Sequence, residues 1–168
     1  MAYPRDMFIF MQNVRDAYHP ENPYHIENAR VVHIPSSVQD PSELADRLQE
    51  GLSAPAKKYP RQNRSWQLIR EMLLDLSWIS EENVIIIHDD IPLSEGDSQW
   101  HQHWYLDSLA GASLYTNKRN GNFKAVFPED LDKNGLSSSR FFIRNSLSFA
   151  PQYKGPLFPK KPNNLDSF

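Results

Sequence analysis

Three residues with acid–base and metal-binding side chains, His88, Asp89 and Asp90, follow one apolar segment of the chain. Imidazole and carboxylate groups at the carboxyl end of a strand are where an α/β enzyme places a metal ion or a general base. A metal-dependent hydrolase that uses these residues with His101 is therefore one hypothesis. His101 and His103 are two positions apart on a predicted helix and point in different directions, which disfavours joint ligation. The competing interpretation is structural, with Asp89 and Asp90 ending the strand.

Other signatures of catalysis are missing from the sequence. The chain has no cysteine, which excludes disulfides, thiolate nucleophiles and cysteine-ligated zinc. The Gly-rich dinucleotide and P-loop patterns, the nucleophile elbow and the HExxH zinc motif do not occur. These absences leave the cluster around His88 as the candidate for chemistry.

Charge is distributed unevenly along the chain. Residues 1–132 carry 12 Lys or Arg against 20 Asp or Glu, whereas residues 133–168 carry six against one. An acidic body argues against a duplex-binding surface, because phosphate binding needs clustered basic residues. The same body is compatible with a basic protein partner, since complementary fields steer encounter. A solvated acidic surface with no partner is the alternative.

The ends of the chain differ from its middle. No apolar run is long enough for a membrane-spanning helix or a secretory signal, so we predict a cytoplasmic protein with no membrane partner. The basic tail from Lys133 mixes four prolines with six aromatic residues. Basic and aromatic residues together can bind single-stranded nucleic acid by stacking. We favour docking of this tail onto the acidic body, because its apolar groups outnumber its charges.

Apolar periodicity predicts an α/β fold. Asp40 as N-cap with Pro41 in the first turn predicts a helix to about Leu52. Ser65 as N-cap predicts a second helix to about Leu76, and residues 53–64 between them form a loop. The remaining predictions are a strand-like piece at 8–11, strands at 30–34, 84–87 and 123–127, and a third helix at 97–115.

The second helix and the strand after it carry a more specific pattern. The run SWQLIREMLLDLSWI at 65–79, followed by VIIIHDDIPL at 84–93, resembles the barstar family of intracellular ribonuclease inhibitors. YLDSLA at 105–110 and VFPE at 126–129 extend the resemblance over roughly residues 30–130. It implies a small three-stranded parallel sheet packed by helices, no catalysis, no cofactor and no bound metal. On this basis the chain divides into an N-terminal extension (1–29), a barstar-like domain (30–132) and a basic C-terminal extension rich in proline and aromatic residues (133–168).

The resemblance also implies a binding surface, in which a loop and the start of the second helix plug the basic active site of a nuclease. The two positions where the family presents paired Asp residues fall on Gln67 and Glu71, which are spaced i and i+4 and so lie on one face. The predicted partner is a ribonuclease or nuclease-type toxin, and a protein-interaction module with no nuclease target is the alternative. The expected contact residues are Tyr59, Arg61, Asn63, Arg64, Gln67, Arg70, Glu71 and Leu74.

Overall fold

The fold is described from a computed structural model for residues 8–14, 28–62, 65–94, 99–118 and 122–129. Predictions about Asn63, Arg64 and the tail at 133–168 lie outside these residues. The secondary-structure elements are, in chain order, β1 (Phe8–Met11), β2 (Ala29–Ile34), α1 (Pro41–Gly51), α2 (Trp66–Asp75), β3 (Asn83–His88), α3 (Gln99–Lys118) and β4 (Asn122–Pro128). The predicted α/β class is confirmed.

The sheet has four strands, all parallel, in the order β1-β4-β3-β2. The three-stranded count implied by the resemblance is therefore wrong. The additional strand is β1, which comes from the segment interpreted as an extension and pairs with β4 from Phe8 opposite Ala125 to Met11 opposite Pro128. Phe8 also meets Phe127 edge to face, with ring centroids 5.4 Å apart, so this strand contributes to the core.

The two faces of the sheet carry different clusters. One face presents residues such as Val32, Ile86 and Phe127 to all three helices, and together they form the main core. The other face carries a smaller cluster of Met11, Val14, Ile85, Ile87 and Val126. Because side chains alternate along a strand, adjacent residues of β3 contribute to opposite clusters. All six residues of β3 are buried, which explains the continuous apolar run in its sequence.

Local signals account for the starts of α1 and α2. The Asp40 carboxylate accepts hydrogen bonds from the backbone amides of Ser42 at 2.6 Å and Glu43 at 3.4 Å. The Ser65 hydroxyl accepts one from the amide of Leu68 at 3.1 Å. These caps satisfy amides that have no partner within the helix, which confirms both predicted starts. α2 ends where Leu76 adopts a left-handed conformation with φ of 46°.

Within the described ranges, no helix is both long and apolar enough to cross a membrane.

Candidate functional site

The outer face of α2 carries the pair of residues on which the predicted interface depends. Four apolar residues of α2 are buried, Trp66, Ile69, Met72 and Leu73, and they fix the orientation of the helix on the sheet. On the opposite side Gln67 and Glu71 are exposed, and the Gln67 amide Nε2 donates to Glu71 Oε1 at 3.3 Å. Among the described residues no cation lies within ion-pair distance of Glu71. The structure therefore presents an ordered carboxylate to solvent.

Two other predicted contact residues on α2, Arg70 and Leu74, make contacts within the protein. Arg70 Nη1 donates to Asp107 Oδ2 at 2.6 Å, and the Arg70 side chain is 27% exposed. Leu74 is half-buried and packs against the main core. Of the predicted contact residues on α2, Gln67 and Glu71 are therefore the exposed ones.

The carboxylate that holds Arg70 is almost fully buried. The Asp107 side chain is 1% exposed, and its Oδ1 has no hydrogen-bond partner among the described residues. Burial raises the pKa of Asp107 to about 6, although the charge and hydrogen bond of Arg70 act in the opposite direction. The guanidinium lies against Gly111, where an added Cβ would be 3.2 Å from Arg70 Nη2. The absence of a side chain at Gly111 thus gives Arg70 its place in the seam between α2 and α3.

The loop before α2 is anchored by Tyr59. Tyr59 is buried, its hydroxyl donates to Asp75 Oδ2 at 3.1 Å, and its ring lies 5.4 Å from the ring of Trp78. Lys58 Nζ contacts the same Asp75 oxygen at 2.6 Å, and this hydrogen bond lowers the pKa of Asp75. Tyr59 is one of the predicted contact residues, and its ring and hydroxyl connect the loop to the end of α2.

Arg61 remains exposed on the loop and pairs with α1. Its Nη2 lies 3.0 Å from Glu50 Oε1 and its Nε lies 3.7 Å from Asp46 Oδ1. The loop is basic in sequence, yet Lys58 and Arg61 each face a carboxylate. The structure brings Gln67 and Glu71 together and places Arg70 beside α3. Asn63 and Arg64 lie outside the described residues.

His88 at the end of β3 is part of a buried hydrogen-bonded cluster. Its Nδ1 lies 2.9 Å from the carbonyl oxygen of Val126, which can only accept, so Nδ1 carries the proton. Its Nε2 accordingly accepts from the Tyr105 hydroxyl at 2.6 Å. The ring stacks on Phe127 with centroids 4.1 Å apart. Burial lowers the pKa of His88 to about 3, and both ring nitrogens of the neutral side chain are occupied.

The neighbours of His88 in sequence also have local partners. Asp89 Oδ1 lies 2.9 Å from His33 Nε2, and Asp90 Oδ1 accepts from the amide of Ile91 at 2.7 Å. The indole Nε1 of Trp66 donates to Nδ1 of His101 at 3.0 Å, and burial lowers the pKa of His101 to about 4. In the described ranges no three His, Asp or Glu residues are grouped so as to hold a metal ion. The hydrolase hypothesis draws no support from this geometry and stays a prediction.

Sequence reasoning missed Asp107 as a partner of the candidate surface. A signal was present, because Asp107 is an acidic residue within the largely apolar stretch WYLDSLA at 104–110. A carboxylate on the buried side of a helix requires a cation or a donor from a neighbouring element. The sequence alone does not show that this cation is Arg70.

Comparison of the chain with protein-family models, curated proteins and solved structures finds no match.

Proposed function

We propose that this protein is a barstar-like binding protein that inhibits a ribonuclease or nuclease-type toxin with α2 and the loop before it. The observation that carries the proposal is Glu71, an exposed carboxylate on α2 that accepts a hydrogen bond from Gln67 and faces no cation among the described residues. A nuclease active site must attract phosphate and is therefore cationic. A carboxylate held in place on a helix can occupy such a site in place of a phosphate.

The arrangement of the loop supports the proposal. Tyr59 and Lys58 both contact Asp75 at the end of α2, so these contacts connect the loop to the helix. Gln49 of α1 also donates to the Tyr59 carbonyl at 2.6 Å. A binding surface that is ordered before it meets its partner loses less entropy on association.

The charge pairing of the loop is also compatible with a basic partner. Unpaired cations on this loop would repel the cationic site of a nuclease. The pairs of Lys58 with Asp75 and of Arg61 with Glu50 reduce that repulsion, because each cation lies within 3.0 Å of a carboxylate oxygen. Glu71 then supplies a negative charge on the neighbouring helix face.

The experiment that tests the proposal reverses the charge of Glu71. Wild-type protein and Glu71→Lys are used as baits in a lysate of the native host, bound proteins are identified by mass, and each bait is titrated against the RNA-cleaving activity of a captured nuclease. We expect the wild type to retain and inhibit a small basic nuclease, and Glu71→Lys to weaken inhibition by about 100-fold if Glu71 meets a buried cation. Thermal stability should remain nearly unchanged, since Glu71 is exposed.

Glu82→Lys is the matched control, because Glu82 is an exposed glutamate immediately before β3, outside the proposed surface. It should inhibit within about twofold of the wild type. Equal inhibition by the Glu71 and Glu82 variants would show that Glu71 is not part of the interface. Baits that capture no nuclease would favour an interaction module with no nuclease target.

A further inference from the structure

The seam between α2 and α3 contains an incompletely paired carboxylate beside the proposed binding surface. Asp107 is 1% exposed and uses one oxygen to hold Arg70 at 2.6 Å, while its other oxygen has no partner among the described residues. Arg70 is 27% exposed and lies next to Glu71 in sequence. The pair therefore connects a buried group to the rim of the candidate surface.

Arg70 is the charged group that acts on Asp107. It approaches from α2, and no other described residue contributes a charge to the environment of this carboxylate. On α3 itself, His103 lies one turn earlier and is half-buried, which lowers its pKa and favours its neutral form. β4, the strand against which α3 packs, faces the helices with Phe123, Ala125 and Phe127, whereas Lys124 alternates to the other face.

We propose that the protonation state of Asp107 determines whether Arg70 lies in the α2–α3 seam or extends onto the binding surface, and that protonation weakens the binding of a basic nuclease. The proposal rests on the proposed function of that surface. The ionised carboxylate attracts the guanidinium and keeps it over Gly111. Once Asp107 is neutral this attraction is lost, and the guanidinium of the partly exposed Arg70 side chain gains hydration by moving outward.

Two physical consequences would lower the affinity for a basic partner. Protonation removes one negative charge from the vicinity of α2, and the released Arg70 places a positive charge close to Glu71. Both changes make the surface less complementary to a cationic active site. The burial that raises the pKa of Asp107 to about 6 also places this change within the pH range of living cells.

The first arm of the test follows Arg70 without any partner. NMR signals of the Arg70 Nε–Hε group and the Asp107 carboxyl carbon are recorded in the full chain between pH 5 and 7.5, for the wild type and for Asp107→Asn. We expect the two wild-type signals to titrate together, and the Arg70 signal of the variant to stay nearly constant. An Arg70 signal that does not move in the wild type, or moves equally in both proteins, would overturn the proposal.

The second arm measures inhibition of a purified small basic microbial ribonuclease at pH 7.5 and pH 5.5. The affinity of the wild type should fall by about tenfold more than that of Asp107→Asn, which should bind weakly at both pH values. Titration of the ribonuclease itself affects both proteins equally and cancels in this ratio. Equal pH dependence of the two proteins would contradict the proposal.

The NMR titration and the inhibition assay test the Asp107 proposal and the proposed function separately. Absence of inhibition at either pH by any of the proteins would count against the proposed function, and the NMR titration would still decide whether Asp107 controls Arg70. Asp and Asn side chains have nearly the same volume, so the Asp107→Asn protein should keep its fold. An unchanged NMR spectrum of the core amides would verify this. A second variant, Asp107→Ser, should give the same flat Arg70 titration.

Discussion

Two buried polar clusters in this protein differ in how completely they are paired. In the first, His88 has one ring nitrogen on the Val126 carbonyl and the other on the Tyr105 hydroxyl, and both His88 and Tyr105 are fully buried. In the second, Asp107 pairs with Arg70 through one oxygen and leaves the other without a described partner. The complete cluster lies between α3 and the sheet, whereas the incomplete one reaches solvent through Arg70. Incomplete pairing therefore coincides with the rim of the candidate surface.

The two clusters also respond to pH with opposite signs. The pKa of His88 is lowered from 6.5 to about 3, so its contribution to stability is complete above pH 6.5 and is lost as pH falls toward 3. The pKa of Asp107 is raised from 3.8 to about 6, so its contribution is complete below pH 3.8 and is lost as pH rises through 6. At neutral pH the first cluster stabilises the fold and the second costs stability.

The largest effect should come from breaking the complete cluster. His88→Ala removes a ring stacked on Phe127 and leaves the buried Tyr105 hydroxyl without its acceptor. We expect a loss of about 3–5 kcal/mol in the free energy of unfolding, measured by urea denaturation at pH 7.5. Tyr105→Phe, which removes one hydroxyl, should cost about 1–3 kcal/mol. The double variant with both His88→Ala and Tyr105→Phe tests the coupling. If its loss of unfolding free energy equals the sum of the two single losses, the hydrogen bond between these side chains contributes nothing to stability.

A smaller effect of opposite sign is expected for the incomplete cluster. Asp107→Asn removes a buried negative charge together with the attraction that holds Arg70 in the seam. One pKa unit corresponds to about 1.4 kcal/mol, so the variant should be more stable than the wild type by roughly 1–3 kcal/mol at pH 7.5. The difference should shrink as pH falls from 6 toward 4, because the wild-type carboxyl then becomes neutral as well. Urea denaturation of both proteins at pH 7.5, 6 and 5 measures it. A difference that is independent of pH would show that the charge of Asp107 is not its cause.

Structural features with a local cause are predicted correctly from the sequence, whereas features that depend on distant residues are not. The starts of α1 and α2 are correctly predicted because Asp40 and Ser65 act on amides two or three residues away. The pairing of β1 with β4 is not, since it joins segments more than 110 residues apart and depends on the core contact of Phe8. A short apolar run carries no information about which strand it will join.

The same distinction applies to the candidate surface. The helical spacing correctly predicts that Gln67 and Glu71 share a face, and their hydrogen bond confirms it. The spacing does not predict that Arg70 pairs with Asp107 of α3 or that Leu74 packs against the main core. The resemblance names Tyr59 as a contact residue, and the sequence does not predict that its side chain is buried between the loop and the end of α2.

The smallest change in the free energy of unfolding is expected at Gly111, which lies beside the Arg70 guanidinium. Alanine favours a helix over glycine by up to about 1 kcal/mol. At Gly111 an added Cβ meets the end of the Arg70 side chain at 3.2 Å, which can move, so Gly111→Ala should leave the free energy of unfolding within about 0.5 kcal/mol of the wild type or slightly above it. At Gly51 the Cβ would lie 2.6 Å from Val32 Cγ1 in the core, so Gly51→Ala should cost about 1–3 kcal/mol. Denaturation at pH 7.5 compares the two variants. If Gly111→Ala is as stable as the wild type and its Arg70 NMR signal at pH 7.5 moves toward that of Asp107→Asn, the guanidinium can leave the seam at little cost. If Gly111→Ala is strongly destabilised, Arg70 is a fixed part of the core.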